Sequence, residues 1–233
     1  MAGPASDPKS NPKTEPKTEK KQDLQLLPAL ALLTFATGFI DAASVLGLGH
    51  VFTANMTGNV VLLGFALAHT GSAAAVDCAL ALAAFLVGAA LGGRLASKGV
   101  SFTAALAVEV GILALASAVS WVAGGAPHVA LCEVALLACA MGLHNASVRK
   151  LAVPDMTTTV LTLTLTGLAA DSSLAGGQNP RWRRRFLSVA LMLLGALTGA
   201  LLLRCGLKWT ITAATAVVAG AGAMSVRGRR RDG

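Results

Sequence analysis

Six stretches of the chain, residues 24–47, 76–96, 102–123, 128–148, 186–204 and 209–226, run about 20 residues each with at most two charged side chains apiece. That is the length at which a helix crosses the hydrocarbon core of a bilayer. Lipid offers no partner for a bare N–H or C=O, so runs of this length commit to helices. The chain therefore reads as an all-α polytopic membrane protein.

Two further apolar stretches, 51–69 and 156–170, fit this scheme poorly. The first is broken by Asn55, Gly58 and Asn59, and the second, "MTTTVLTLTLTGLAA", is short and threonine-rich. Loop charges bear on how they are threaded. If all eight stretches cross with the N-terminus inside, Arg94, Lys98, Arg149, Lys150, Arg204 and Lys208 lie outside and only the "RWRRR" loop lies inside. That sign is wrong for the positive-inside rule. If the two weak stretches enter and leave on the same side, only Arg204 and Lys208 remain outside. The charges thus favour six full transmembrane helices plus two broken or re-entrant segments. Length alone leaves seven or eight spans as the alternative.

The two halves of the chain also resemble each other. "TGFIDAAS" (37–44) pairs with "MGLHNAS" (141–147), setting Asp41 opposite Asn145 at an offset of 104. "TANMTGN" (53–59) pairs with "TTVLTLT" (158–164), setting Thr57 opposite Thr162, and "GAALG" (88–92) pairs with "GALTG" (195–199). Phe102 with Thr103 pairs with Trp209 with Thr210, at 107. Three crossings per half place the second half upside down, giving an internal inverted repeat in which paired broken helices meet near the membrane midplane. The expected divisions are a disordered cytoplasmic tail over 1–22, a first membrane repeat over 23–124, a second over 125–226 and a basic cytoplasmic tail over 227–233.

Composition narrows the function classes. Of the residues 55% are hydrophobic and 13% charged, mostly Ala, Leu, Val and Gly among the apolar ones and with no Tyr, so small residues set the helix packing. Gly88 with Gly92, and Gly195 with Gly199, are expected to bring helices of the two halves together. The net charge of +8 sits in tails and short loops, as topology signals do, and points to no nucleic acid. Cys78, Cys132, Cys139 and Cys205 read as small buried hydrophobes; they have no metal-binding spacing, and no metal or cofactor is implied. No GxSxG, HExxH, Walker A or GxGxxG pattern falls in a suitable context, so the chain is not expected to be an enzyme. The expected partners are the lipid bilayer and an unknown small solute or ion, and the oligomeric state is unknown.

Polar side chains inside the spans are the candidates for function, because burying them in lipid is expensive. Asp41 and Glu109 lie within apolar runs, and no Lys or Arg shares a span interior with them, so they are expected to hold a proton or meet a cation. Glu133 lies nearer a helix start and reads as interfacial. Asp77 and Asp171 read as solvated caps. His144 beside Asn145 is a candidate proton relay. Thr53, Asn55, Thr57, Gly58 and Asn59, with Thr158, Thr159 and Thr162, supply hydroxyls, amides and open backbone for a cavity; their alternative role is hydrogen bonding between helices.

"GFIDAASVLGLGHVFTANMTGNVVLLG" in the first half and "MGLHNASVRKLAVPDMTTTVLT" in the second resemble the YoaK family of bacterial membrane proteins, catalogued as a domain of unknown function, over about 24–226. Leu163 stands where similar proteins tend to have a Gly. The resemblance implies a multi-pass protein of the bacterial inner membrane and brings no substrate. The residues themselves point to a secondary transporter or permease of a small solute, with a non-transporting scaffold as the alternative.

Overall fold

The computed structural model describes residues 17–68, 72–151 and 161–230. Among these the chain is helical: α1 (Lys17–Gly47), α2 (Met56–Ala68), α3 (Ser72–Ser97), α4 (Phe102–Ala123), α5 (Pro127–Leu151), α6 (Leu161–Ala170), α7 (Trp182–Leu202) and α8 (Leu207–Arg230). Six of these carry apolar windows of spanning length: Leu26–Gly47, Ala74–Ser97, Phe102–Ala123, His128–Leu151, Trp182–Cys205 and Leu207–Arg227. The other two, α2 with 13 residues and α6 with 10, rise only about 20 and 15 Å at 1.5 Å per residue, short of the roughly 30 Å core. At its ends the helical part reaches past the expected boundaries, starting at Lys17 and continuing to Arg230. Cys132 and Cys205 lie exposed on the outer surface rather than buried, while Cys78 is enclosed.

Helix directions follow from side-chain contacts. Gly88 and Gly92 of α3 lie against Cys139 and Leu143 of α5 in the same order along both chains, so these two run parallel. Gly195 and Gly199 of α7 lie likewise against Phe35 and Phe39 of α1, again parallel. By contrast, Thr103 of α4 meets Ser225 of α8 at 3.4 Å, while Ser117 and Trp121 farther along α4 meet Thr212 at 2.6 and 3.0 Å. α4 and α8 are antiparallel. Glu109 meets His144 across the α4–α5 hairpin, and α7 turns directly into α8, so each of those pairs is opposed too.

It follows that α1, α4 and α7 point one way and α3, α5 and α8 the other. Since α1 opposes α3, the segment holding α2 makes no net crossing. The same holds for α6 between α5 and α7, and the two short helices enter from opposite faces. An arrangement of eight crossings would make α4 and α8 parallel. The six-span threading also puts the ends bearing Arg94, Lys98, Arg149, Lys150, the 181–185 arginines and Arg227 on one face, and leaves Arg204 and Lys208 on the other.

Close approach without side-chain bulk holds the parallel pairs. A Cβ on Gly88 would fall on the Cys139 carbonyl oxygen, and one on Gly142 on that of Phe85. At the other crossing Gly195 faces the Phe35 carbonyl and Gly38 that of Met192. Backbones that close gain dispersion contacts that a lipid-solvated helix lacks. α2 and α4 complete the packing around α3 and α5, whereas α6 and α8 do so around α7 and α1, and α4 against α8 joins the two groups.

Candidate functional site

After α1 the chain reverses through Gly49, whose φ of 99° suits only glycine, and His50 at φ 65°. It then runs back alongside α1 as far as Asp41, six residues or about 9 Å short of the helix end, before α2 starts. This stretch has no helical bonds of its own, so side chains satisfy it. Asp41 Oδ1 accepts from the Thr53 and Ala54 N–H groups at 3.0 and 2.8 Å and from the Thr53 hydroxyl at 3.4 Å. Asn59 clamps Phe52 in both directions: its Oδ1 accepts from the Phe52 N–H at 2.9 Å, and its Nδ2 donates to the Phe52 carbonyl at 2.6 Å. Asn55 caps the helix, its Oδ1 accepting from the Gly58 N–H at 3.3 Å.

Five of the candidate residues meet around one cavity. About 670 Å³ in volume, it lies between α1, α2, α6 and α7, with Asp41, Asn55, Thr57, Gly58 and Thr162 in its wall and Thr37 deeper along α1. Both short helices thus contribute to it. Thr53 and Asn59 are fully enclosed and do not line the cavity, which departs from the lining role expected of them: the Thr53 hydroxyl meets the side chains of Asp41 and Ser44, and Asn59 holds the Phe52 backbone. Asp41 does both: Oδ1 carries all three bonds, and Oδ2 makes no hydrogen bond among the described residues. Thr158 and Thr159 lie outside the described residues.

A second cavity of about 830 Å³ lies on the other side of the start of α2, against α3 and α5. It shares Asn55 and Thr57 with the first and is closed by Asn145, whose amide nitrogen and oxygen are both buried without a hydrogen-bond partner.

Glu109 and His144 line neither cavity. Instead they meet between α4 and α5, His144 Nδ1 lying 3.0 and 3.2 Å from the two carboxyl oxygens, with both side chains at most 1% exposed. A basic partner for Glu109 therefore exists, supplied by an imidazole 35 residues away rather than by Lys or Arg. The matched positions in the other half, Ile40 and Ala216, are apolar, so the pair occurs once. Glu133, six residues into α5, is buried, and its Oε1 has no hydrogen-bond partner among the described residues. Asp171, expected as a solvated cap, is held at 2.6 Å by Arg185, which also donates to the Gly167 carbonyl at the end of α6.

Sequence reasoning missed Gly38 and Gly142 as crossing points. The signal was present, for they align with each other inside the "TGFIDAAS" and "MGLHNAS" pair. No comparable signal marks the clamp of Asn59 on Phe52 or the pairing of Glu109 with His144.

Six spanning helices with two half-length helices entering from opposite faces define a polytopic α-helical membrane protein with a polar interior. The chain belongs to the family described as "Protein of unknown function (DUF1275)", which matches residues 29–224. It is 35% identical over 150 residues to the "UPF0700 transmembrane protein YoaK" of Bacillus subtilis (strain 168), an alignment covering 62% of this chain and 66% of that protein, just under two thirds of its length. No solved structure matches it.

Proposed function

We propose that the chain is a permease for a small solute or ion, built as an inverted repeat. The observation that carries this reading is the 670 Å³ cavity, whose polar wall comes from Asp41, Asn55, Thr57 and Gly58 in the first half and Thr162 in the second. Irregular backbone at membrane depth is tolerated where it lines a cavity, and half-helices entering from opposite faces are how many transporters build a site.

The repeat has residue-level support. Gly38 and Gly142, Phe35 and Cys139, and Phe39 and Leu143 stand 104 apart, while Gly88 and Gly195, Gly92 and Gly199, and Phe85 and Met192 stand 107 apart. Each contact at the α1–α7 crossing therefore has its counterpart at the α3–α5 crossing. The antiparallel run of α4 against α8, themselves matched helices, is what a two-fold axis in the membrane plane requires. By the positive-inside rule the basic face, with both termini, lies in the cytoplasm of a bacterial inner membrane. Asp41 is the candidate coupling site within the cavity, and the Glu109–His144 pair a second proton-holding site outside it.

A scaffold remains the second reading, and the three bonds to Asp41 Oδ1 favour it, since they give the carboxyl a structural task. Flux separates the two. Protein in liposomes is expected to move at least one solute from a panel of small anions, cations and neutral compounds under a proton gradient, and to lose that flux on Thr162→Trp, which projects an indole into the cavity. Absence of flux across the whole panel favours the scaffold.

A further inference from the structure

Unlike the first cavity, the second carries no acid in its wall among the described residues. It is bounded by Asn55, Met56 and Thr57 at the start of α2, by Phe85, Ala89 and Gly93 of α3, and by the last two turns of α5. Two features there are positive, and a third is an amide able to donate. The Met56 and Thr57 N–H groups that open α2 have no carbonyl within the helix to meet and carry the positive end of its dipole, that of Gly58 being capped by Asn55. Asn145 offers a buried amide whose Nδ2 and Oδ1 bond to nothing among the described residues. Arg149 and Lys150 stand at the basic end of α5; Lys150 Nζ donates to the Ala96 carbonyl at 3.1 Å, closing the C-terminus of α3, while Arg149 makes no such bond.

We infer that this second cavity is a binding site for a small anion with hydrogen-bond acceptors, a carboxylate or an oxyanion, held by the Asn145 amide and the start of α2 and drawn in by Arg149. A buried Nδ2 without a partner is costly, and an acceptor arriving there removes that part of the cost. A cation arriving from the same face meets Arg149, Lys150 and the dipole end, and no carboxylate among the described lining residues receives it. Asp41 lies in the wall of the first cavity. Two donors flank the boundary between the cavities, because Asn55 and Thr57 line both. This deepens the permease reading and rests on it for movement of the anion, though not for its binding.

The full-length protein in detergent tests the inference without any transport step. Thermal unfolding is followed while sodium acetate and sodium phosphate are titrated in, with acetamide and methylammonium chloride as the uncharged and cationic counterparts and sodium chloride as the ionic-strength control. Acetate or phosphate is expected to raise Tm saturably, and which of the two does so separates a carboxylate from a tetrahedral oxyanion. Arg149→Gln and the near-isosteric Asn145→Asp are each expected to weaken the apparent Kd at least tenfold, with Tm in the absence of anion retained in Arg149→Gln. Equal stabilisation by acetamide or methylammonium, or an anion response unchanged in both variants, overturns the inference. Anion binding without flux in liposomes leaves this site standing and removes the permease; flux of a neutral or cationic solute without anion binding does the reverse.

Discussion

Replacing Asp41 by Ala removes the acceptor that ties Thr53 and Ala54 to α1. The Thr53 and Ala54 N–H groups, now bonded to Oδ1 at 3.0 and 2.8 Å, are then left in the interior without a partner. Each buried unpaired N–H costs about 1–3 kcal/mol, so the substitution is expected to destabilise by about 2–6 kcal/mol. Asp41→Asn keeps an amide oxygen able to take the place of Oδ1, and its cost is expected near 1 kcal/mol, that of a weaker acceptor. Trp121, Trp182 and Trp209 provide a fluorescence signal for unfolding as SDS is titrated against a mild detergent. An Asp41→Ala protein within 0.5 kcal/mol of the parent, or no gap between Ala and Asn, refutes the claim that this carboxyl supports the start of α2.

The glycines separate in the same assay. Gly38→Ala and Gly142→Ala push a methyl group onto the Met192 and Phe85 carbonyls and are expected to cost about 1–3 kcal/mol, whereas Gly111→Ala and Gly220→Ala, with nothing within 4 Å, gain up to about 1 kcal/mol of helix propensity. Similar effects at all four positions contradict the crossing geometry. For the Glu109–His144 pair, removing either partner alone is expected to cost about 3–5 kcal/mol because it strands a buried polar group, and Glu109→Met with His144→Leu together much less. A double-mutant cycle reads this coupling, and additive effects count against the contact.

The span count was legible because it rests on length and charge, which need no tertiary information. Arg94, Lys98, Arg149 and Lys150 had the wrong sign for eight crossings, and helix directions independently give six. The interruption at Asn55, Gly58 and Asn59 located the short helix, but its polar residues divide in two. Asn59 holds the Phe52 backbone and Thr53 ties to Asp41 and Ser44, while Asn55 and Thr57 reach the cavities, and only the fold of residues 48–55 against α1 tells them apart. Glu109 and His144 looked separate because their meeting depends on the register of α4 against α5, which a run of Ala and Leu does not encode. Gly88 and Gly92 were readable as a spaced pair; Gly38 and Gly142 stand singly on their helices and show their role only once the partner carbonyl is in place.

The central claim is that both short helices open onto one water-filled cavity, and thiol accessibility tests it most directly. In protein whose native cysteines are replaced by Ser, single Cys residues at Thr57 and Thr162, both in the cavity wall, and at Leu86, 65% exposed on the outer surface of α3, are treated with a charged, membrane-impermeant thiol reagent in liposomes. Positions 57 and 162 are expected to react, and a bulky adduct at one to slow reaction at the other in the double variant, while position 86 stays unmodified in lipid. Unreactive thiols at both 57 and 162, in protein that still folds, would contradict the account.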